Sequence, residues 1–285
     1  MISNKREYFR NKVIQGLFYS RKVTAKNRTL PDYLLIGATR SGTTSLWTYL
    51  SKHPNILSAF KKEIHFFDFN FSKGVPWYKA HFPLKITKNF SEKIRQNKII
   101  TGDATPYYIY HPHAPTRIFD TVPDVKLVAL LRNPIDRAYS HYSRNVRRNV
   151  ESLSFEEAIQ KEEERLNGEY EKSLGDEMYY SRNLHAFSYL SQGRYYEQLT
   201  KWYEIFPKDQ FLILKSENFY ENTESIYYEL LDFLDIPRFT LNKFEVYNFE
   251  KYHEMKDDTR EHLRKYFKPY NNKLKTELGI DISWE

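Results

Sequence analysis

The chain has 285 residues, of which 40% are hydrophobic, 28% charged and 17% aromatic, and it contains no cysteine. A chain this long buries roughly three-quarters of its unfolded surface and needs no staples to fold. The missing thiols exclude a disulfide framework, a thiolate nucleophile and any cysteine-ligated metal or cluster. The formal charge of +7 is localised: residues 1–28 hold eight cationic side chains (Lys5, Arg6, Arg10, Lys12, Arg21, Lys22, Lys26 and Arg28) against one acid, Glu7, so the rest of the chain is net neutral. This divides the chain into a basic arm, residues 1–30, and one domain over 31–285. The arm reads as a solvated extension, or as a weak contact to a membrane surface through residues 1–28. No apolar run approaches the ~20 residues of a membrane span. No hydrophobic stretch follows the basic residues as in a signal peptide. A cytoplasmic protein without a nucleic-acid partner is expected.

In chain order, four apolar runs have strand length: Tyr33–Ile36, Lys98–Thr101, Lys126–Leu131 and Phe211–Leu214. They do not alternate with polar residues, which suits strands buried on both faces of a parallel sheet. Helical patterns lie between them, at Thr44–Ser51 with Leu46 and Leu50 on one side, and at Ser225–Leu234 with Tyr227, Leu230, Leu231 and Leu234 on one side. Strand–helix alternation predicts an α/β fold, an open and mainly parallel sheet flanked by helices. Residues 151–177 carry ten acids against Lys161, Arg165 and Lys172, a solvated helix face or else a lid over a cleft. Tyr195, Trp202 and Tyr203 read as core at helical spacing, with an adenine or sugar floor as the other reading. His111-Pro112-His113 reads as a turn, and no metal is expected.

In open α/β sheets, ligands bind outside the carboxyl ends of the strands. The first run ends in Gly37-Ala38-Thr39-Arg40-Ser41-Gly42-Thr43-Thr44, the Gly-x4-Gly spacing of a loop whose backbone N–H groups and following helix cradle an anion. Thr43 stands where a nucleoside triphosphatase has lysine, and Arg40 is the cation within the loop. The third run ends in Leu131-Arg132-Asn133-Pro134-Ile135-Asp136. Asn133 suits an N-cap, Pro134 a first helical position and Asp136 a capping-box partner. Arg137, Ser140, Arg144 and Arg148 follow at helical spacing. Arg132 and Ser140 are placed to hold a second phosphate. Two anion sites at separate strand ends point to a nucleotide phosphorylated at two places.

These residues resemble the PAPS-dependent sulfotransferases. The string Pro31 to Leu46 is similar to their 5′-phosphosulfate loop, and Arg132-Asn133-Pro134 through Ser140 to their 3′-phosphate motif. Lys62-Glu63-Ile64-His65-Phe66-Phe67-Asp68 is similar to the segment bearing the catalytic glutamate in the heparan-sulfate-type branch. The C-terminal stretch Tyr266 to Trp284 is also similar. The resemblance implies a P-loop-containing sulfotransferase fold of bacterial type. The donor is PAPS, adenosine with a 5′-phosphosulfate and a 3′-phosphate, and the product is PAP. It implies donor contacts from Arg40, Ser41, Gly42, Thr43, Thr44, Arg132, Ser140, Lys251 and Tyr252, and no metal. The net-neutral body argues against a polyanionic acceptor, so a carbohydrate or small metabolite is expected.

Sulfuryl transfer needs in-line positioning and charge stabilisation. Glu63 is expected to be the general base for the acceptor hydroxyl or amine, with Phe66 and Phe67 as an apolar wall that raises its pKa. His65, on the same face if the segment is extended, is expected to orient the acceptor or act as the base instead. Arg40 stabilises the leaving phosphate, and Asp103 is a candidate acceptor-binding residue or a turn cap. The rival readings are a P-loop kinase using ATP and Mg²⁺, and a non-catalytic nucleotide or polyanion binder.

Overall fold

The computed structural model describes residues 16–247 and 254–284. Four parallel strands form one sheet in the order β2-β1-β3-β4: β1 (Tyr33–Gly37), β2 (Gly102–Ala104), β3 (Lys126–Leu131) and β4 (Phe211–Lys215). The helices that shape the molecule are α1 (Thr43–Ser51), α2 (Lys85–Arg95), α3 (Pro134–Arg147), α4 (Tyr195–Tyr203), α5 (Ser216–Glu221), α6 (Thr223–Phe233) and α7 (Asp257–Thr276).

All five residues of β1 are buried, which is why its sequence does not alternate. Leu34 and Ile36 join Leu127, Ala129, Leu199 and Trp202 in the core on one face. Tyr33 and Leu35 join Leu46, Val128, Leu130 and Leu231 on the other. Successive side chains of a strand point to opposite faces, so a sheet covered on both sides draws apolar residues at every position. Each fully buried large side chain is worth about 1.5–3 kcal/mol.

The second strand starts later than the apolar run that suggested it. Ile99 and Ile100 are buried, but Ile100 pairs only through an isolated parallel bridge to Ile56, and the ladder to β1 begins at Gly102. Gly102 lies under the Tyr33 ring, where a Cβ would come within 2.3 Å of it. The strand therefore runs where the glycine admits that ring.

Chain order reverses between β1 and β3. From β1 the chain steps to β2 on one side, and from β3 to β4 on the other. The crevice outside the ends of β1 and β3 is thus the topological switch point, the usual ligand position in such sheets.

Two charged segments are partly built into the domain. Arg21 donates to Ala80 O and Phe82 O at 2.6 and 2.8 Å, and Arg28, buried, donates to Phe82 O at 2.7 Å. The end of the basic arm is docked on the domain. Within 151–177 six of the ten acids are exposed, as a solvated face requires, while Glu151, Glu162 and Glu169 are buried. Glu162 accepts from the N–H groups of Leu190 and Ser191 at 2.6 and 2.8 Å, and Glu151 pairs with Arg165 at 2.6 Å.

Candidate active site

The loop after β1 bends into α1 with Arg40 at φ 72° and Gly42 at φ 95°. Gly42 is the N-cap of α1, and a Cβ there would lie 2.5 Å from the Tyr220 hydroxyl, so conformation and packing both demand glycine. Ser41 O accepts from Ser216 Oγ at 2.8 Å, which fixes the loop to α5. The buried Ser41 Oγ has no partner among the described residues, an orphan polar atom in a loop of helix-terminal N–H groups.

The loop after β3 meets the first one. Asn133 caps α3 by accepting from Ile135 N at 3.0 Å, with Pro134 at the first helical position. Asp136 does not complete a capping box. It accepts from Arg260 at 2.7 Å, and the Asn133 N–H donates instead to Glu217 Oε1 of α5 at 2.8 Å. Glu217 also accepts from Trp284 Nε1 at 3.1 Å, so the chain's last described residues brace this corner. Arg132 donates to Arg40 O at 3.1 Å, and its own carbonyl accepts from the Tyr195 hydroxyl at 2.9 Å. Arg40 Nε donates to Ser140 Oγ at 3.0 Å. Ser140 is buried and holds the Arg40 guanidinium through this bond. The two predicted anion sites therefore form one continuous basic patch. Arg137 leaves the predicted arginine row, being fully buried and bonded to Tyr189 O. Tyr195 and Trp202 belong to the core.

A further cation joins the patch from elsewhere in the chain. Lys62 Nζ donates to Thr44 Oγ1 at the start of α1 at 2.6 Å and lies 3.2 Å from Glu63 Oε1. Sequence reasoning quoted Lys62 without giving it a role; its signal was adjacency to Glu63.

Glu63 and His65 sit near the end of β2. The Glu63 N–H donates to Ala104 O at 3.1 Å. Both residues have left-handed backbones, φ 54° and 55°, so the segment is a chain of turns and the expected strand alternation does not apply. The expected apolar wall over Glu63 is also absent. Phe66 and Phe67 are fully buried, with Phe66 stacked on Tyr78 and Phe67 edge-on to Tyr108. The Glu63 carboxylate is instead 46% exposed and paired with Lys62.

His65 Nδ1 lies 2.6 Å from the buried Asp68 Oδ2. A carboxylate only accepts, so Nδ1–H donates and Nε2 is the nitrogen left for a substrate. Burial disfavours the imidazolium, but the Asp68 hydrogen bond and the charges of Asp68, Glu63 and Asp103 outweigh it and raise the His65 pKa. Around His65 stand Phe69, Tyr107, Tyr180 and His185. Phe69 stacks on His65 at 5.2 Å and meets Tyr180, His185 and Tyr107 at 4.8, 5.1 and 5.3 Å. Burial, then the nearby His65 charge, holds His185 down at about 4, a neutral ring.

Asp103 is not on the acceptor side. Its carboxylate is fully buried and accepts from Tyr108 at 3.0 Å, Tyr78 at 3.3 Å and Thr105 at 3.1 Å. Desolvation, only partly offset by the Tyr108 and Thr105 bonds and by the His65 charge, pushes it up to about 6. Tyr108 in turn accepts from Phe66 N at 3.0 Å, and Thr105 Oγ1 from His65 N at 3.4 Å. Asp103 is thus a positioning residue under the turns that carry Glu63 and His65. Lys251 and Tyr252 lie outside the described residues.

A parallel sheet with two basic loops at its switch point and a carboxylate–imidazole pair beside them defines a group-transfer enzyme for a nucleotide donor. The family model described as "Sulfotransferase domain" matches residues 30–273, and the chain belongs to that family: it is a PAPS-dependent sulfotransferase. Among curated proteins it is similar to the membrane-associated sulfotransferase kil1 of Dictyostelium discoideum, at 29% identity over 92% of this chain and 68% of that protein. It is similar to mouse heparan sulfate glucosamine 3-O-sulfotransferase 6 at 24% identity over 90% of this chain and 75% of that protein. Among solved structures it resembles a sulfotransferase from Alicyclobacillus acidocaldarius, with a TM-score of 0.67, 28% identity, and coverage of 89% of this chain and 98% of that one. These matches favour neither the kinase nor the non-catalytic binder.

Proposed function

We propose that this enzyme transfers the sulfuryl group of PAPS to a hydroxyl of a carbohydrate, with Glu63 as general base. The observation that carries the reading is the convergence of Arg40, Arg132 and Ser140 with Lys62 and Glu63 at the switch point, through the Arg40–Ser140 contact at 3.0 Å and the Lys62–Thr44 contact at 2.6 Å. The residues fit a donor with anions at both ends. The Gly42 cradle, the orphan Ser41 hydroxyl and the α1 N-terminus suit a 5′-phosphosulfate, with Arg40, Thr43, Thr44 and Lys62 beside it. Arg132 and Ser140 suit the 3′-phosphate.

PAPS supplies an activated sulfur whose leaving group is a phosphate; this chain's residues position that group and manage charge and proton. Glu63 accepts the proton of the attacking hydroxyl. Lys62, touching both Glu63 and the phosphate-side Thr44, links the proton-accepting and charge-stabilising halves of the site. His65, held by Asp68, orients the acceptor. The aromatic surface of Phe69 and exposed Tyr180 suits the apolar face of a sugar ring. The heparan sulfate glucosamine in the name of the mouse relative supports a carbohydrate.

Replacing Glu63 by Gln tests the assignment. Turnover with a carbohydrate acceptor is expected to fall by about 10²–10⁴-fold, the usual worth of a general base, while PAP affinity stays near that of the unmodified enzyme. Full retained turnover removes Glu63 as base.

A further inference from the structure

Helix α2, Lys85-Ile86-Thr87-Lys88-Asn89-Phe90-Ser91-Glu92-Lys93-Ile94-Arg95, is mounted with its polar side inward. Lys88 Nζ grips both oxygens of Asp32 at 2.7 and 2.9 Å, and Glu92 Oε1 accepts from Ile99 N at 3.3 Å. These contacts fix the rotation of the helix. No residue of α2 is buried. Ile86, Phe90 and Ile94, spaced i, i+4, i+8, are 74%, 64% and 65% exposed. Residues at that spacing form one stripe on a helix. Lys93 flanks this stripe, Lys85 and Arg95 are exposed at the two ends of the helix, and the helix's one acid, Glu92, is turned inward. The outer surface of α2 is therefore apolar and cationic with no negative charge.

We propose that α2 docks this enzyme on a bilayer surface that contains anionic lipid, with Ile86, Phe90 and Ile94 entering the headgroup–acyl boundary and Lys85, Lys93 and Arg95 meeting the phosphates. An apolar stripe with lysine beside it and long cationic side chains at both helix ends, able to snorkel to the headgroups, is the pattern of a helix that lies in the interfacial plane. Charge selects the occupant. A second copy packed isologously through this face would set Lys85, Lys93 and Arg95 against themselves with no acid to offset them. Residues 1–15 of this chain carry Lys5, Arg6, Arg10 and Lys12 against Glu7 alone, and are repelled likewise. The arm strengthens the lipid reading, because Arg28 pairs with Leu84, the residue that opens α2. Exposed Lys22 and Lys26 thus lie on chain that joins the domain beside this helix. The inference does not depend on the acceptor or on the role of Glu63.

The test is sedimentation of the full chain with vesicles of phosphatidylcholine, alone or with phosphatidylserine at about three parts in ten, at low and physiological salt. The unmodified protein is expected to co-sediment with the anionic vesicles and to stay in solution with the neutral ones. Replacing Ile86, Phe90 and Ile94 together by Ser, with the arm intact, is expected to lower the partition coefficient by about tenfold or more and to leave the melting temperature and PAP affinity unchanged. Because the chain has no cysteine, Phe90→Cys carrying an environment-sensitive dye reports the stripe directly; its emission is expected to shift blue only when anionic vesicles are added. Equal vesicle binding by the triple variant overturns the proposal and leaves the arm as the contact. Dye emission that is already blue without lipid overturns it in favour of a protein cover, and a dimer lost in the triple variant identifies that cover as a second copy.

Discussion

Asp103 offers a sharp thermodynamic test, because a fully buried carboxylate surrounded by three hydroxyl donors is held up to about 6. Each pH unit by which folding moves a pKa is worth about 1.4 kcal/mol, so keeping Asp103 ionised in the folded protein costs about 3 kcal/mol relative to the protonated acid. The sign follows from a folded pKa above the unfolded value of 3.8. The stabilising contribution is fully present below about pH 4 and is lost as pH rises through about 6. Asp103→Asn removes the titration but keeps one acceptor oxygen, and the Tyr78, Tyr108 and Thr105 hydroxyls can rotate to accept from its amide. Melting temperatures of both proteins from pH 4.5 to 8 are the assay. About 1 kcal/mol of this is already lost at pH 4.5, so the unmodified protein is expected to lose about 2 kcal/mol, or about 4 °C for a domain of this size, relative to the variant across the range. Parallel profiles would refute the reasoning, since Asp103 would then titrate alike in folded and unfolded chains.

Two further predictions concern the reacting groups. Lys62→Met is expected to lower kcat by about 10²-fold, the scale of losing one preorganised charge-stabilising donor, with Lys62→Arg recovering part of it; an unchanged kcat in Lys62→Met would confine Lys62 to a surface ion pair. Asp68→Asn is expected to lower the His65 pKa, because it removes the charge and leaves at most a neutral acceptor in place of the carboxylate that offsets desolvation. The imidazole resonances in a pH titration by NMR would report this, and an unmoved His65 would contradict the pairing.

The fold was legible in the sequence wherever burial was total. The unbroken run Leu127–Leu131 announced a central strand because every one of its side chains is buried, and Asn133-Pro134 announced the start of α3 by chemistry local to three residues. The loop from Gly37 to Thr44 was legible for the same reason: positive φ at Gly42 and hydroxyls at a helix start are local demands. What sequence reading missed was set by distant partners. Asp103 reads like any acid at a strand end until Tyr78 and Tyr108 close over it. The Phe66-Phe67 pair reads as a wall for Glu63, yet left-handed turns at Glu63 and His65 send both rings into the core. Asp136 was expected to cap its own helix, but Arg260 holds it from α7. Lys62 gains meaning only when β1 and β2 lie side by side and its amine reaches Thr44. The inverted mounting of α2 likewise depends on Asp32, far from it in sequence.

The most direct measurement of the central claim is the stabilisation of the full chain by PAP, compared with 3′-dephospho-PAP and with ATP and Mg²⁺. A ligand that binds only the folded state stabilises by RT ln(1 + [L]/Kd), about 4 kcal/mol for millimolar ligand at micromolar affinity. A large shift is expected with PAP, a clearly smaller one without the 3′-phosphate that Arg132 and Ser140 are placed to hold, and little with ATP and Mg²⁺. Equal shifts with PAP and its dephosphorylated form would contradict the two-anion site, and a shift with ATP and Mg²⁺ alone would contradict the donor itself.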